Sequence, residues 1–374
     1  MLNARKKIIP LLTALLVPTL LLPANAYAYG SDNVEMQEIQ QTLHQYSQEL
    51  LAEYHSPRTR SKLNIPLTAE EQAKEGLISK NVEVVPTIRS IQSSDDGEYL
   101  IDTDMTVNVS LDADSDTVIY VNGKRTDHLD QSWTSTHIME FAHVGRQRGY
   151  SIISDKVIDE QDPPEYADAS DELPTEDKTP ASLDENGALE SEALNKAQTY
   201  AFGDNSVGVN YIKAMNYANK WTSPGYEHKM NSAYPSFGSN CANFVSQALH
   251  EGGMTLTRLW NYTTVLPDKL TTRAWMNADS NYSYMKHYSH SYDSLDNVWK
   301  AWQGSILYVD WTSNNEIDHA MFVVGVVVKD GKANPVIDQK TENRHQITLT
   351  ESLQHAHEQG KNNMTWYGLQ YRYD

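Results

Sequence analysis

One cysteine, Cys241, stands in a chain of 374 residues, inside the run Ser239-Asn240-Cys241-Ala242-Asn243-Phe244-Val245-Ser246-Gln247. A lone thiol cannot close an internal disulfide, which leaves an incidental side chain, an intermolecular link or a reactive group. Its placement argues for reactivity. Phe244, Val245, Ala248 and Leu249 fall on one stripe of an amphipathic helix that Gly252-Gly253 ends, so Cys241 occupies the first turn. There the unpaired backbone N–H groups and the positive end of the helix dipole stabilise a thiolate. The same N–H groups can form half of an oxyanion hole.

A cysteine nucleophile needs a base that accepts its proton and later returns one to the leaving group, a role histidine fills near neutral pH. Of the 13 histidines, His319 is the one placed for it: it follows Glu316-Ile317-Asp318 and opens the apolar run Ala320–Val328, which predicts a buried strand. His287, His290, His345, His355 and His357 lie in polar surroundings and are expected to be solvated. A third group should orient the imidazole from the following strand, where Asp338 and Gln339 are adjacent and strand alternation lets only one of them point inward. Periodicity does not choose between them.

The elements that must hold these groups follow from the rest of the chain. Residues 1–28 combine Arg5, Lys6 and Lys7, an apolar run from Ile8 to Leu22 and the A-x-A pattern Ala26-Tyr27-Ala28, the pattern of a cleavable signal peptide. The expected mature chain is exported, secreted or cell-wall associated, with no membrane span after cleavage, and about 345 residues remain for two packed units. Residues 29–154 predict an N-terminal module. Met36, Ile39, Leu43, Tyr46, Leu50 and Tyr54 give one helix, and β-like runs with an Asn122-Gly123 hairpin give a curved antiparallel sheet. Asp112, Asp114 and Asp116 alternate like a calcium loop but lack its glycine and closing glutamate, so a plain acidic turn is expected. Residues 155–196 read as an acidic, disordered linker, with 14 acidic and 2 basic residues between Asp155 and Glu192. Residues 197–374 form the unit that carries the chemistry, and the fold class is α+β.

The order of motifs carries a resemblance. A Tyr-Ala helix, Asn231 and Tyr234, the Cys241 segment, Gly252-Gly253, Gly304-Ser305-Ile306-Leu307-Tyr308 and Asp318-His319-Ala320 together resemble the putative amidase domain of secreted Gram-positive bacterial proteins, over roughly residues 203–374. That family is similar to the papain-like amidases and peptidases of bacterial cell walls. The resemblance implies a papain-like domain with the nucleophile helix packed on an antiparallel sheet, Cys241 as nucleophile and His319 as base. It also implies Tyr234 as a second oxyanion donor or a substrate-cleft residue. Asn240 stands where the family has an aspartate that could contact a substrate amine, Ser305 replaces the aspartate of a Gly-Asp turn, and Lys340-Thr341 replaces a His-Thr pair.

A net charge of −20 argues against nucleic acid as a partner. The scattered histidines make no metal-ligand pattern, and cysteine hydrolysis needs no cofactor. The expected substrate is an amide bond of a cell-wall peptide or muropeptide. Trp260, Trp275, Trp299 and Trp302 are candidate groove or core residues. The alternative is a non-catalytic wall-binding or interaction protein on a papain-like scaffold.

Overall fold

The structure is a computed structural model that describes residues 34–55, 63, 65, 67–93, 97–143, 149–158, 178–188 and 208–372. The expected signal peptide, 1–28, lies outside the described residues.

Helix α1 (Val34–Tyr54) forms on the predicted spacing and buries Ile39, Leu43, Leu50 and Tyr54 against strand β1 (Leu77–Ser93). Helix α2 (Ala69–Lys74) starts at a capping box, Thr68 with Glu71. The sheet continues antiparallel through β2 (Tyr99–Ala113), β5 (His128–Ala142) and β6 (Ser151–Ile158). Between β2 and β5 the hairpin β3 (Thr117–Val121) and β4 (Lys124–Thr126) turns at Asn122-Gly123, whose φ values of 51° and 72° are the left-handed pair such a turn requires. Asp114 sits in an acidic turn, accepting from Asp116 N at 3.0 Å and pairing with Lys329 at 3.3 Å.

The second half opens with α3 (Tyr211–Thr222), capped by Asn210, and α4 (Cys241–Glu251). After α5 (Ala278–His287) and β7 (Tyr292–Ser294) come β8 (Ile306–Asp310), β9 (His319–Lys329), β10 (Lys332–Gln339) and β11 (Arg344–Thr348). Helix α6 (Leu349–Glu358) and β12 (Thr365–Tyr371) follow. Strand β9 is apolar at almost every position because both of its faces are covered. Ala320, Phe322 and Val324 join the core formed with α4, whereas Met321 and Val323 pack with Ile337, Ile347, Leu349 and Trp366 on the opposite face. Trp260, Trp275, Trp299 and Trp302 are all buried, so these tryptophans are core rather than groove.

The two halves share one sheet. Arg344 and His345 of β11 pair with Trp133 and Ser132 of β5, and β3 runs antiparallel to the end of β9, giving a 12-stranded sheet ordered β1-β2-β5-β11-β10-β9-β8-β12-β7 along its main path. A buried carboxylate ties them further. Glu351 of α6 accepts from Gln72 Nε2 at 2.8 Å and Gln131 Nε2 at 2.6 Å, and Tyr54 donates to Gln72 in turn. Part of the acidic stretch is also structured: residues 155–158 finish β6, and Ala181 N and Ser182 N donate to Trp366 O and Asp296 O. The remainder of that stretch, 159–177 and 189–196, lies outside the described residues.

Candidate active site

Helix α4 is held end to end by apolar burial, with Phe244, Val245, Ala248 and Leu249 inaccessible to solvent. That packing fixes Cys241 at its N-terminus. The side chain of Asn240 does not cap the helix. Instead it binds the preceding loop: Oδ1 accepts from Phe237 N at 3.0 Å and Asn243 Nδ2 at 2.8 Å, while Nδ2 donates to Phe237 O at 2.6 Å. Its role is to fold residues 236–240 against the first turn, and its amide has no capacity pointed elsewhere for a substrate amine.

The thiol is 3% exposed. Its Sγ lies 3.7 Å from Ser239 Oγ and 3.9 Å from the carbonyl oxygen of Asp318. Thr341, in the turn between β10 and β11, accepts from Asn240 N at 2.7 Å and lies 3.4 Å from Ser239 Oγ. Thr341 and Glu342 both adopt positive φ, 57° and 50°, a conformation that costs energy for a β-branched residue. The turn is therefore held by what it contacts, including Asn240, the residue preceding Cys241.

His319 begins β9 as expected, and the loop before it is tightly closed. Asp310 accepts from the backbone N–H groups of Thr312, Asn314 and Asn315, and Asp318 Oδ2 accepts from Trp311 N at 2.8 Å. The Trp311 ring lies 6.2 Å from the imidazole, centroid to centroid, and the Lys361 ammonium lies 4.4 Å from the centroid of the Trp311 ring. Strand alternation puts His319 on the Met321 side of the sheet, away from the α4 face, and the thiol approaches the strand at its end, at the Asp318 carbonyl. The imidazole is 3% exposed and its Nε2 has no hydrogen-bond partner. Burial pushes its pKa down to about 4 against a smaller opposing pull from Glu342, so it is neutral at pH 7.

The same alternation separates the two candidate orienting residues. Gln339 shares the face of His319 and weakly favours its protonated form, while its Nε2 donates to Glu342 O at 3.3 Å. Asp338 faces the other way: Oδ1 accepts from Gln346 N at 2.8 Å and lies 3.4 Å from His345 Nδ1. Asp338 is thus removed from the expected triad by the pleat of β10. Behind Gln339, burial raises the Glu342 carboxyl, but Arg344 and His355 outweigh it and hold that carboxyl well below the usual carboxylate range. His345 and His355 were expected in solvent and are buried instead. His345 bonds Thr222 Oγ1 at 2.8 Å, and His355 lies 3.5 Å from Glu342.

Tyr234 is placed away from the thiol. Its hydroxyl donates to Glu251 at 2.7 Å, at the opposite end of a helix about 15 Å long. Its ring packs among Tyr217, Tyr262 and Trp275. This corrects the oxyanion-donor expectation, because the phenolic proton is already committed. Lys340 buries its ammonium and donates to Tyr226 O at 2.7 Å and Glu227 O at 2.9 Å. Burial lowers its pKa to about 7. Trp311, Ser239 and Thr341 were not singled out as site residues from the sequence. For Ser239, its position two residues before the cysteine was the available signal, whereas Trp311 and Thr341 reach the site only through turn geometry. Among the described residues, no group of three or more His, Cys, Asp or Glu side chains could hold a metal ion. No described helix is long and apolar enough to cross a membrane.

Residues 208–367 match a family described as a putative amidase domain, which points to amide-bond hydrolysis as the reaction class. The chain is also 25% identical over 177 residues to an uncharacterized protein, YhbB, of Bacillus subtilis (strain 168), across 44% of this chain and 51% of that protein. It therefore spans about half the length of the curated relative it matches. No solved structure matches it.

Proposed function

We propose that the protein is an exported cysteine-dependent amidohydrolase or peptidase whose C-terminal half is papain-like and whose substrates are amide bonds of cell-wall peptides. The observation that carries this reading is the thiol at the start of a buried helix, 3.9 Å from the peptide that leads into His319. In the proposed reaction the neutral imidazole accepts the Cys241 proton as sulfur attacks the amide carbonyl. First-turn N–H groups of α4 hold the oxyanion. Collapse of the tetrahedral intermediate breaks the C–N bond, and His319 gives its proton to the departing amine. Water, deprotonated by His319, then hydrolyses the thioester, releasing the acid and restoring the thiol. Gln339 orients the imidazole. A base with a low pKa is a proton acceptor at the moment of attack and does not maintain a standing thiolate–imidazolium pair.

The deciding experiment is hydrolysis of muropeptides by the mature chain and by Cys241→Ala. Loss of turnover by about a thousandfold or more supports the reading, and undiminished hydrolysis in the variant removes it. One observation favours a second reading, a non-catalytic wall-binding protein: the thiol is 3% exposed and the imidazole's Nε2 is unpartnered. Saturable binding to isolated walls, with no hydrolysis and no difference between wild type and Cys241→Ala, would establish that alternative.

A further inference from the structure

Between α3 and α4 the chain crosses the first turn of the nucleophile helix. Pro235 O accepts from Asn243 Nδ2 at 2.9 Å, both backbone polar groups of Phe237 bind Asn240, and Ser239 Oγ touches the sulfur. This segment, residues 226–239, contributes to the cover that leaves Cys241 3% exposed. Two anchors hold its start. Lys340 Nζ binds the carbonyls of Tyr226 and Glu227, and His228 Nε2 lies 3.0 Å from Oδ2 of Asp104, on β2 of the N-terminal module.

Asp104 is a costly residue to place there. Its side chain is fully buried, and burial raises its pKa while His228, Thr136 and Arg89 draw it down and Asp102 raises it further. Thr136 Oγ1 donates to Oδ1 at 2.7 Å and Arg89 Nε is 3.5 Å from Oδ2. A buried carboxylate contributes little net stability over an apolar replacement, so its use at this position is better explained by what it holds than by folding energy. What it holds is the one imidazole of the covering segment, and that imidazole is about half exposed, at 43%.

We propose that residues 226–239 form a strap over Cys241 and that the His228–Asp104 contact is its latch, so that the N-terminal module controls access to the thiol. This rests on the proposed function only in taking Cys241 as the reactive group. Opening the strap breaks the latch, the Lys340 bonds, the Tyr234–Glu251 bond and the Ser239 and Phe237 contacts, and leaves the shared sheet intact. Such local opening is the expected route by which a substrate reaches a closed site.

The test is the rate at which iodoacetamide alkylates Cys241 in the native full-length mature chain, read by mass spectrometry of the Cys241 peptide. His228→Gln, at a half-exposed position, keeps the core intact, and Asp104→Asn removes the charge from the other side. Each is expected to speed labelling about three- to tenfold. The double variant should be no faster than the faster single, because both remove one interaction. Labelling unchanged in His228→Gln, additive effects of the two substitutions, or a rate that rises only in step with global unfolding in denaturant would overturn the proposal. Alkylation requires no turnover, so a failure of the amidase reading and a failure of the strap are distinguishable.

Discussion

The sulfur of Cys241 approaches the carbonyl oxygen of Asp318 to 3.9 Å, so α4 meets β9 one peptide ahead of His319. Two remote segments are brought together by this contact, and neither the helix nor the strand could set it alone. The helix supplies dipole and N–H groups at Cys241, the strand opens at His319, and the β10–β11 turn holds the junction through Thr341.

The first prediction concerns protonation of His319. Its folded pKa of about 4 lies below the unfolded value of about 6.5. Between those values the unfolded chain binds a proton that the folded chain excludes. Stability contributed by this group therefore rises as pH climbs from 4 to 6.5, by about 3 kcal/mol, and is level above that range. Denaturant unfolding of wild type and His319→Gln at several pH values checks it: the slope over this window should flatten in the variant. If His319 is the base, the acid limb of kcat/KM should fall near pH 4 and not near 6.5.

Gln339 and Asp338 should respond oppositely to substitution. If Gln339 orients His319 during turnover, Gln339→Leu is expected to lower kcat by about ten- to a hundredfold with a small effect on KM, because the imidazole loses the polar neighbour on its own face. Asp338→Asn should leave turnover within about threefold. Its cost should appear as about 1–3 kcal/mol of stability, since the buried carboxylate serves Gln346 N and the vicinity of His345. Parallel kinetics and unfolding curves separate the two roles.

Thr341 holds the backbone N–H of Asn240, the residue before Cys241. Thr341→Ser keeps the hydroxyl and should retain activity. Thr341→Val, nearly equal in shape, leaves Asn240 N–H unsatisfied and should cost about 1–3 kcal/mol, measured as a shift in the denaturation midpoint. If the two substitutions proved equivalent, the hydroxyl would have no part in positioning Cys241.

Glu351 joins the two halves of the chain through Gln72 and Gln131. Glu351→Ala removes the acceptor for both amides and for the Thr348 cap, and should destabilise the protein by about 3 kcal/mol or more. Because the sheet is continuous from β5 into β11, wild type should unfold in one transition seen alike by probes in either half. Two separated transitions would contradict that coupling.

Much of this arrangement was legible in the residues. The stripe Phe244, Val245, Ala248 and Leu249 specified a helix with Cys241 in its first turn, the apolar run after His319 specified a buried strand, and Asn122-Gly123 specified a hairpin, each from signals within a dozen neighbouring positions. What the tertiary structure alone decided were relations between distant segments. The pleat and register of β10 against β9 turned Gln339 toward His319 and Asp338 away, a choice that depends on a bulge between Val336 and Ile337. Packing around Trp275 carried Tyr234 to Glu251 and away from the thiol. Pairing of β5 with β11 merged two expected units into one sheet, buried His345 and brought Asp104 to His228. Local periodicity encodes which face of an element is apolar. Which polar groups then meet is fixed by register and by packing across long sequence separations, where the sequence carries no repeating signal.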